Sequence, residues 1–174
     1  MILLPAPALS TGLFVGTVTN GGFLQDGGQR RALTSLRMTT EARHQSSTSI
    51  TQDFGFGQWE TVETAEFPGG SVTYERAVYT YDGRLQGTGT VRYLMLYGTG
   101  PVQVTGVETI EGSVDGRAGS FVISHTGTAT PDSVDGTFEV VAGSGTSALS
   151  GLSGSGTIRV RNGTPTMSFT YTLG

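Results

Sequence analysis

The chain contains no cysteine and no lysine. The first absence excludes disulfide staples and thiolate metal sites. The second excludes a lysine Schiff base and the lysine of a phosphate-binding loop. Histidine is almost missing as well. His44 and His125 lie far apart, so a zinc site built on several histidines is excluded, and no metal or cofactor is expected. Charged residues make up only 14% of the chain and the formal net charge is −4. All ten basic residues are arginine, and no cluster exceeds Arg30–Arg31. Nucleic-acid binding requires a positive footprint, and this composition supplies none. No apolar run approaches the ~20 residues needed to cross a bilayer as a helix. A cytoplasmic location is expected.

What the chain does have is glycine, 28 residues of it. The glycines sit between short runs rich in Val, Ile, Phe, Tyr and Thr, the pattern of a turn-rich β-protein rather than of a disordered chain. The first 37 residues read differently. The apolar run Ile2–Leu4 is broken by Pro5 and Pro7, and no basic residue precedes it, which argues against a secretory leader. Leu13–Val18 could form one strand, but Gly27-Gly28 and Arg30-Arg31 follow without a packing pattern. Met38 is therefore expected as the natural start. Residues 1–49 are expected to be an N-terminal extension, either poorly structured or an arm covering a barrel edge or mouth. Residues 50–174 are expected to be the β-domain.

From Ile50 the chain alternates strand-like runs with turn signals. Asp82-Gly83, Asp115-Gly116, Asp135-Gly136 and Asn162-Gly163 are pairs that tolerate positive φ at both central positions of a hairpin turn. Gly69-Gly70 and Gly98–Pro101 punctuate similarly, and Gly143–Gly156 suits a turn with a bulged strand. Eight strands follow: Ile50–Trp59, Val72–Tyr81, Arg84–Tyr97, Val102–Val114, Ala118–Thr128, Val134–Ala142, Gly154–Arg161 and Thr166–Leu173. No segment shows a helical period. The reading is all-β: a single antiparallel eight-stranded closed barrel, with a two-sheet sandwich as the alternative.

Tyr93-Leu94-Met95-Leu96-Tyr97, Gly106-Val107-Glu108, Gly116–Val122 with His125 and Gly127, and Gly143–Thr146 followed by Leu149, Gly151-Leu152 and Gly154 occur in this order. Together these motifs resemble a bacterial domain-of-unknown-function family. Its members form barrels similar to plant allene oxide cyclase. The resemblance covers roughly Thr51 to Leu173. It implies an allene-oxide-cyclase-like barrel that self-associates. It does not imply cyclase activity, and no site residue of the plant enzyme is carried over.

Strand alternation selects the candidate site residues. Glu108 shares a face with Val102, Val104 and Ile110. A carboxyl group in an apolar setting is a candidate general acid or base; the alternative is an ion pair with Arg92 or Arg117. His125 shares a face with Phe121 and Ile123, where it could transfer protons or simply be a satisfied core residue. Tyr93, Met95 and Tyr97 occupy one face of the third strand and could line a ligand pocket or a subunit interface. Trp59, the only tryptophan, could cap the mouth or anchor the core, and Phe121 joins the ligand-binding set. Three functions are open. The first is a small-molecule-binding barrel for a hydrophobic oxygenated ligand. The second is a cofactor-independent cyclase or isomerase acting on a reactive hydrophobic intermediate. The third is a self-associating structural barrel with a filled interior. Apolar outer faces predict a homo-oligomer.

Overall fold

A computed structural model describes residues 46–174. The expected extension, including the strand at Leu13–Val18 and the start at Met38, lies outside the described residues apart from its last few. The described chain is all-β, in nine antiparallel strands: β1 (Thr48–Asp53), β2 (Gly55–Phe67), β3 (Gly70–Asp82), β4 (Leu85–Tyr97), β5 (Val102–Val114), β6 (Arg117–Ala129), β7 (Ser133–Val140), β8 (Ser153–Arg161) and β9 (Thr164–Thr172). One short 3₁₀ turn, Ser147–Leu149, interrupts the pattern. No helix among the described residues is long and apolar enough to cross a membrane.

The strands form one sheet in the order β1-β9-β8-β7-β6-β5-β4-β3-β2. The two end strands of that order, β1 and β2, are separated in the chain by the single residue Phe54. Consecutive Cα atoms lie 3.80 Å apart across a trans peptide. The sheet therefore curls until both its ends reach one continuous stretch of chain. Phe54 donates its N–H to Pro165 O, after which the chain leaves β9 and takes up pairing with β3. The Gln52 side chain stitches this corner further. Its amide accepts from Leu85 N at 3.0 Å and donates to Leu85 O at 2.9 Å, as a strand neighbour would.

Nine strands replace the expected eight because the first run changes partners at Phe54, which splits it into β1 and β2, and the second piece does not end at Trp59. Chain pairing continues to Phe67, opposite Gly70. The stretch Glu60–Phe67 is exposed at every position, so it carries no buried face and no apolar alternation to read. Backbone bonding to β3 holds it as a strand. Asp135-Gly136 is also corrected: it lies inside β7 rather than in a turn. The reversal between β6 and β7 is made at Thr130–Ser133, where the Thr130 hydroxyl accepts from the N–H groups of Asp132 and Ser133. Asp115-Gly116 and Asn162-Gly163 do turn with positive φ at both positions (51° and 78°, 52° and 80°).

Alternating residues of every strand except β2 point inward. The end of the sheet near the β3–β4 and β5–β6 turns is solidly filled, with Leu85, Val114, Phe121, Phe169 and Tyr171 all but sealed from solvent. The Gly143–Gly156 stretch is no bulged strand over most of its length. It crosses this end as a plug, with Leu149 and Leu152 buried. Thr146 N donates to Ser120 O, and Ser120 N and Val122 N donate to the hydroxyls of Thr146 and Ser144. These bonds satisfy the part of β6 that β7 leaves unpaired.

Candidate functional site

The opposite end is looser. A cavity of about 100 Å³ lies there, lined by Phe54, Phe56 and Trp59 at the β1–β2 corner, Tyr79 of β3, Tyr93 and Met95 of β4, and Val104, Ala129, Val134, Ile158 and Val160 across the interior. Its wall is almost wholly apolar. A wider depression of about 630 Å³ at the mouth shares the walls Met95 and Ala129 and adds Tyr97, Pro101 and Pro131. A void of about 30 Å³ adjoins the main cavity, sharing Tyr93, Val104, Val134 and Ile158 with it and adding His125 and the exposed Thr126.

Behind the void sits a chain of buried polar groups. Glu108, on β5, has no solvent exposure. Tyr81 donates its hydroxyl to Glu108 Oε1 at 2.7 Å, and His125 Nε2 lies 2.9 Å from Oε2. The expected alternative for Glu108, an ion pair with Arg92 or Arg117, is not what the fold makes. Arg92 is exposed on β4, and Arg117 reaches toward Gly174 O. Glycine makes the room: a Cβ at Gly89 would overlap Glu108 Oε1, and a Cβ at Gly106 would overlap the Tyr93 ring. The Tyr93 ring meets His125 edge-on with centroids 5.5 Å apart. Tyr79 and Tyr93 share a hydroxyl–hydroxyl bond of 3.3 Å. Burial pushes all three tyrosines upward in pKa, and the Glu108 charge adds to the effect, so their hydroxyls stay protonated.

A second buried carboxyl group belongs to Glu75 on β3. It accepts the Trp59 indole N–H at 3.0 Å and the Thr61 hydroxyl at 2.8 Å on the same oxygen. Trp59 is half exposed and stacks on Tyr93 with centroids 6.1 Å apart, so it stands at the pocket entrance.

Of the residues singled out from the sequence, Glu108 and His125 are brought into direct contact. Trp59, Tyr93 and Met95 share one cavity, while Tyr97 lies further out at the mouth, its hydroxyl 3.8 Å from Met95 Sδ. Phe121 is not with them. It lies in the filled end, stacked on Phe169. Sequence reasoning missed Glu75, Tyr79 and Tyr81. The alternation of β3 carries the signal, since all three fall on one face of Val72–Tyr81. Phe54 and Phe56 were missed because the chain changes partner strands between them. No group of three metal-ligating side chains exists among the described residues.

The molecule thus defines a class: a curled antiparallel sheet with an apolar pocket at one end and a buried Tyr–Glu–His chain behind it. The chain belongs to the DUF3224 family, described as a protein of unknown function, whose signature matches residues 50–171. It is similar to the crystal structure of a protein of unknown function from that family in Shewanella oneidensis MR-1. The two share 26% identity over 74% of this chain and 99% of the other, with a TM-score of 0.65. No curated protein matches the chain.

Proposed function

We propose that this protein is a small-molecule-binding β-barrel whose ligand is compact and apolar and carries one hydrogen-bond acceptor, such as a carbonyl oxygen. The observation behind this reading is the Tyr79–Tyr93 pair on the wall of an apolar pocket. Two hydroxyls share a single bond, so one of their two protons has no acceptor among the described residues. A buried donor left unmet costs ~1–3 kcal/mol, which a ligand oxygen would return. The cavity is smaller than most ligand pockets, but the mouth depression beside it gives a longer ligand room to extend. The solid packing at the plugged end argues for a filled interior there only, and the hollow at the other end separates this reading from a purely structural barrel.

Closure as an eight-stranded barrel of the allene-oxide-cyclase type belongs to the same proposal. It is supported by the continuity of β1 and β2, which serve as the two halves of one long strand pairing β9 first and β3 second. Trp59, the single tryptophan, touches the pocket and reports on it directly. Titration with methyl hexyl ketone should change its fluorescence, and n-octane should bind at least about fivefold more weakly. Tyr93→Phe should erase that difference, since one neutral hydrogen bond is worth about 1 kcal/mol. Equal affinity for ketone and alkane in the wild-type protein would remove the acceptor from the proposal.

A further inference from the structure

Resting on the ligand reading above, we infer that His125 is a general base for cofactor-free proton transfer at the carbon next to a carbonyl group. The substrate class is an apolar ketone or aldehyde. Three observations converge on one small volume. The first is the orientation of the imidazole. Nε2 faces Glu108 Oε2 at 2.9 Å, and in the tautomer that donates Nε2–H to that oxygen Nδ1 keeps a lone pair. The second is access. Nδ1 has no partner among the described residues, yet it is not a sealed-in orphan: Thr73 Oγ1 is the one fully buried side-chain nitrogen or oxygen without a partner among them. His125 instead lines the 30 Å³ void that adjoins the main cavity. The third is the hydroxyl pair. Tyr93 lines both spaces, and the pair's free proton is the donor available to a carbonyl oxygen.

The step balances without a co-reactant. The C–H bond next to the carbonyl breaks and its proton passes to Nδ1. The electron pair enters the enolate, whose oxygen is met by the tyrosine O–H. The imidazolium is stabilised by Glu108, which Tyr81 holds in place from its other oxygen. Return of the proton to the same carbon gives exchange with solvent. Return to the γ-carbon of a β,γ-unsaturated ketone moves the double bond into conjugation. Nothing is oxidised or reduced. His125 is the catalytic residue, and Glu108 and Tyr81 are positioning residues.

The test uses the full chain and methyl hexyl ketone in heavy water. Trp59 fluorescence measures binding, and proton NMR measures deuterium uptake next to the carbonyl. The expected result is exchange above the buffer rate, reduced about 10²–10³-fold in His125→Gln. Glu108→Gln keeps the carboxyl shape without its charge. It should lower the exchange rate at saturation at least about tenfold while leaving the ketone Kd unchanged, a split that loss of folding would not produce. β,γ-Cyclohexenone should be converted to its conjugated isomer by the same variants in the same order. Wild-type protein that binds the ketone, by Trp59, but exchanges its protons no faster than buffer overturns the inference and leaves the ligand reading standing. Wild-type protein that fails to bind overturns both. Equal exchange in wild type and folded His125→Gln assigns the base elsewhere and overturns it too.

Discussion

At the scale of single residues, the buried carboxyl of Glu108 depends on a residue that contributes no side chain. Gly89 lies on β4, two places from Val91, and any Cβ there would occupy the position of Glu108 Oε1. Gly89→Ala should force the carboxylate away from Tyr81 and His125 and leave buried partners unmet. A loss of roughly 2–4 kcal/mol is expected, measured by urea unfolding, because displaced buried charge is among the few changes that cost this much. The plugged end has its own titrating group. Asp115 accepts from Arg84 Nε and from the Tyr171 hydroxyl, and these two hydrogen bonds, Arg84's first, hold its carboxyl below the ordinary carboxylate range. The folded state therefore favours ionised Asp115. That stabilisation is complete above the unfolded value and is lost as pH falls through the lower folded one. Tyr171 works in the opposite sense. Burial, then the bond to Asp115, pushes it up to about 12, so its contribution is intact below the unfolded value of 10.0 and is lost as pH rises through about 12. The melting temperature of Asp115→Asn should fall less steeply than wild type below about pH 4, where the unfolded carboxyl protonates. Parallel melting curves across that range would show that Asp115 is not a contributor.

Strand β2 shows what the sequence hides at the scale of elements. Among the described residues it is exposed along its length and paired on one side only, to β3, which makes it a template for unwanted strand pairing. Glu60, Glu63 and Glu66 punctuate it with charge of one sign. An antiparallel copy of β2 centred near Thr61-Val62 would set Glu60 opposite Glu63, a like-charge pair that opposes association. Replacing all three glutamates with threonine should turn the protein into concentration-dependent oligomers and fibrils, followed by light scattering and thioflavin fluorescence. A variant that stays as dispersed as wild type would mean the edge is protected by other means. The same exposure explains why β2 was illegible. Strands β3 to β9 announce themselves because one face is buried and alternates, and turn pairs such as Asp115-Gly116 fix their ends. Glu60–Phe67 buries nothing, so no residue pattern marks it. Asp135-Gly136 misleads for the converse reason. Its dipeptide suits a turn, but its strand register and the salt bridge of Asp135 with Arg161 belong to β7. The contact between Glu108 and His125 was half legible. Alternation places both inside, but only the pairing of Gly106 with His125 and of Glu108 with Ile123 puts the two side chains on neighbouring strands at bonding distance.

For the whole molecule, the inside is organised by the curl of the sheet, and the outside raises a separate question. On the outer face of β3, β4 and β5 an apolar patch gathers: half-buried Val72 and Tyr74, then Leu94, Leu96 and Val107, each of the last three 42% exposed or more. The strand register makes these residues neighbours, since Tyr74 faces Leu94 and Val72 faces Leu96, and Val107 lies diagonal to Leu94. Arg76 and Arg92 face each other beside the patch, and neither forms an ion pair among the described residues. An apolar centre with arginine at its border is the composition of a subunit interface rather than of a solvated face. A patch of this kind matches itself, so two copies related by a two-fold axis can cover it completely, whereas a head-to-tail contact would need a second complementary surface. We therefore expect a dimer through this face at micromolar concentration, measured by light scattering. Leu94→Glu combined with Val107→Glu should give a monomer with unchanged circular dichroism. Both substitutions lie on the side of the sheet away from the pocket, so ketone binding at Trp59 should persist in that monomer. A wild-type protein that scatters as a monomer would leave the patch uncovered, and a double variant that still dimerises would move the interface to another face.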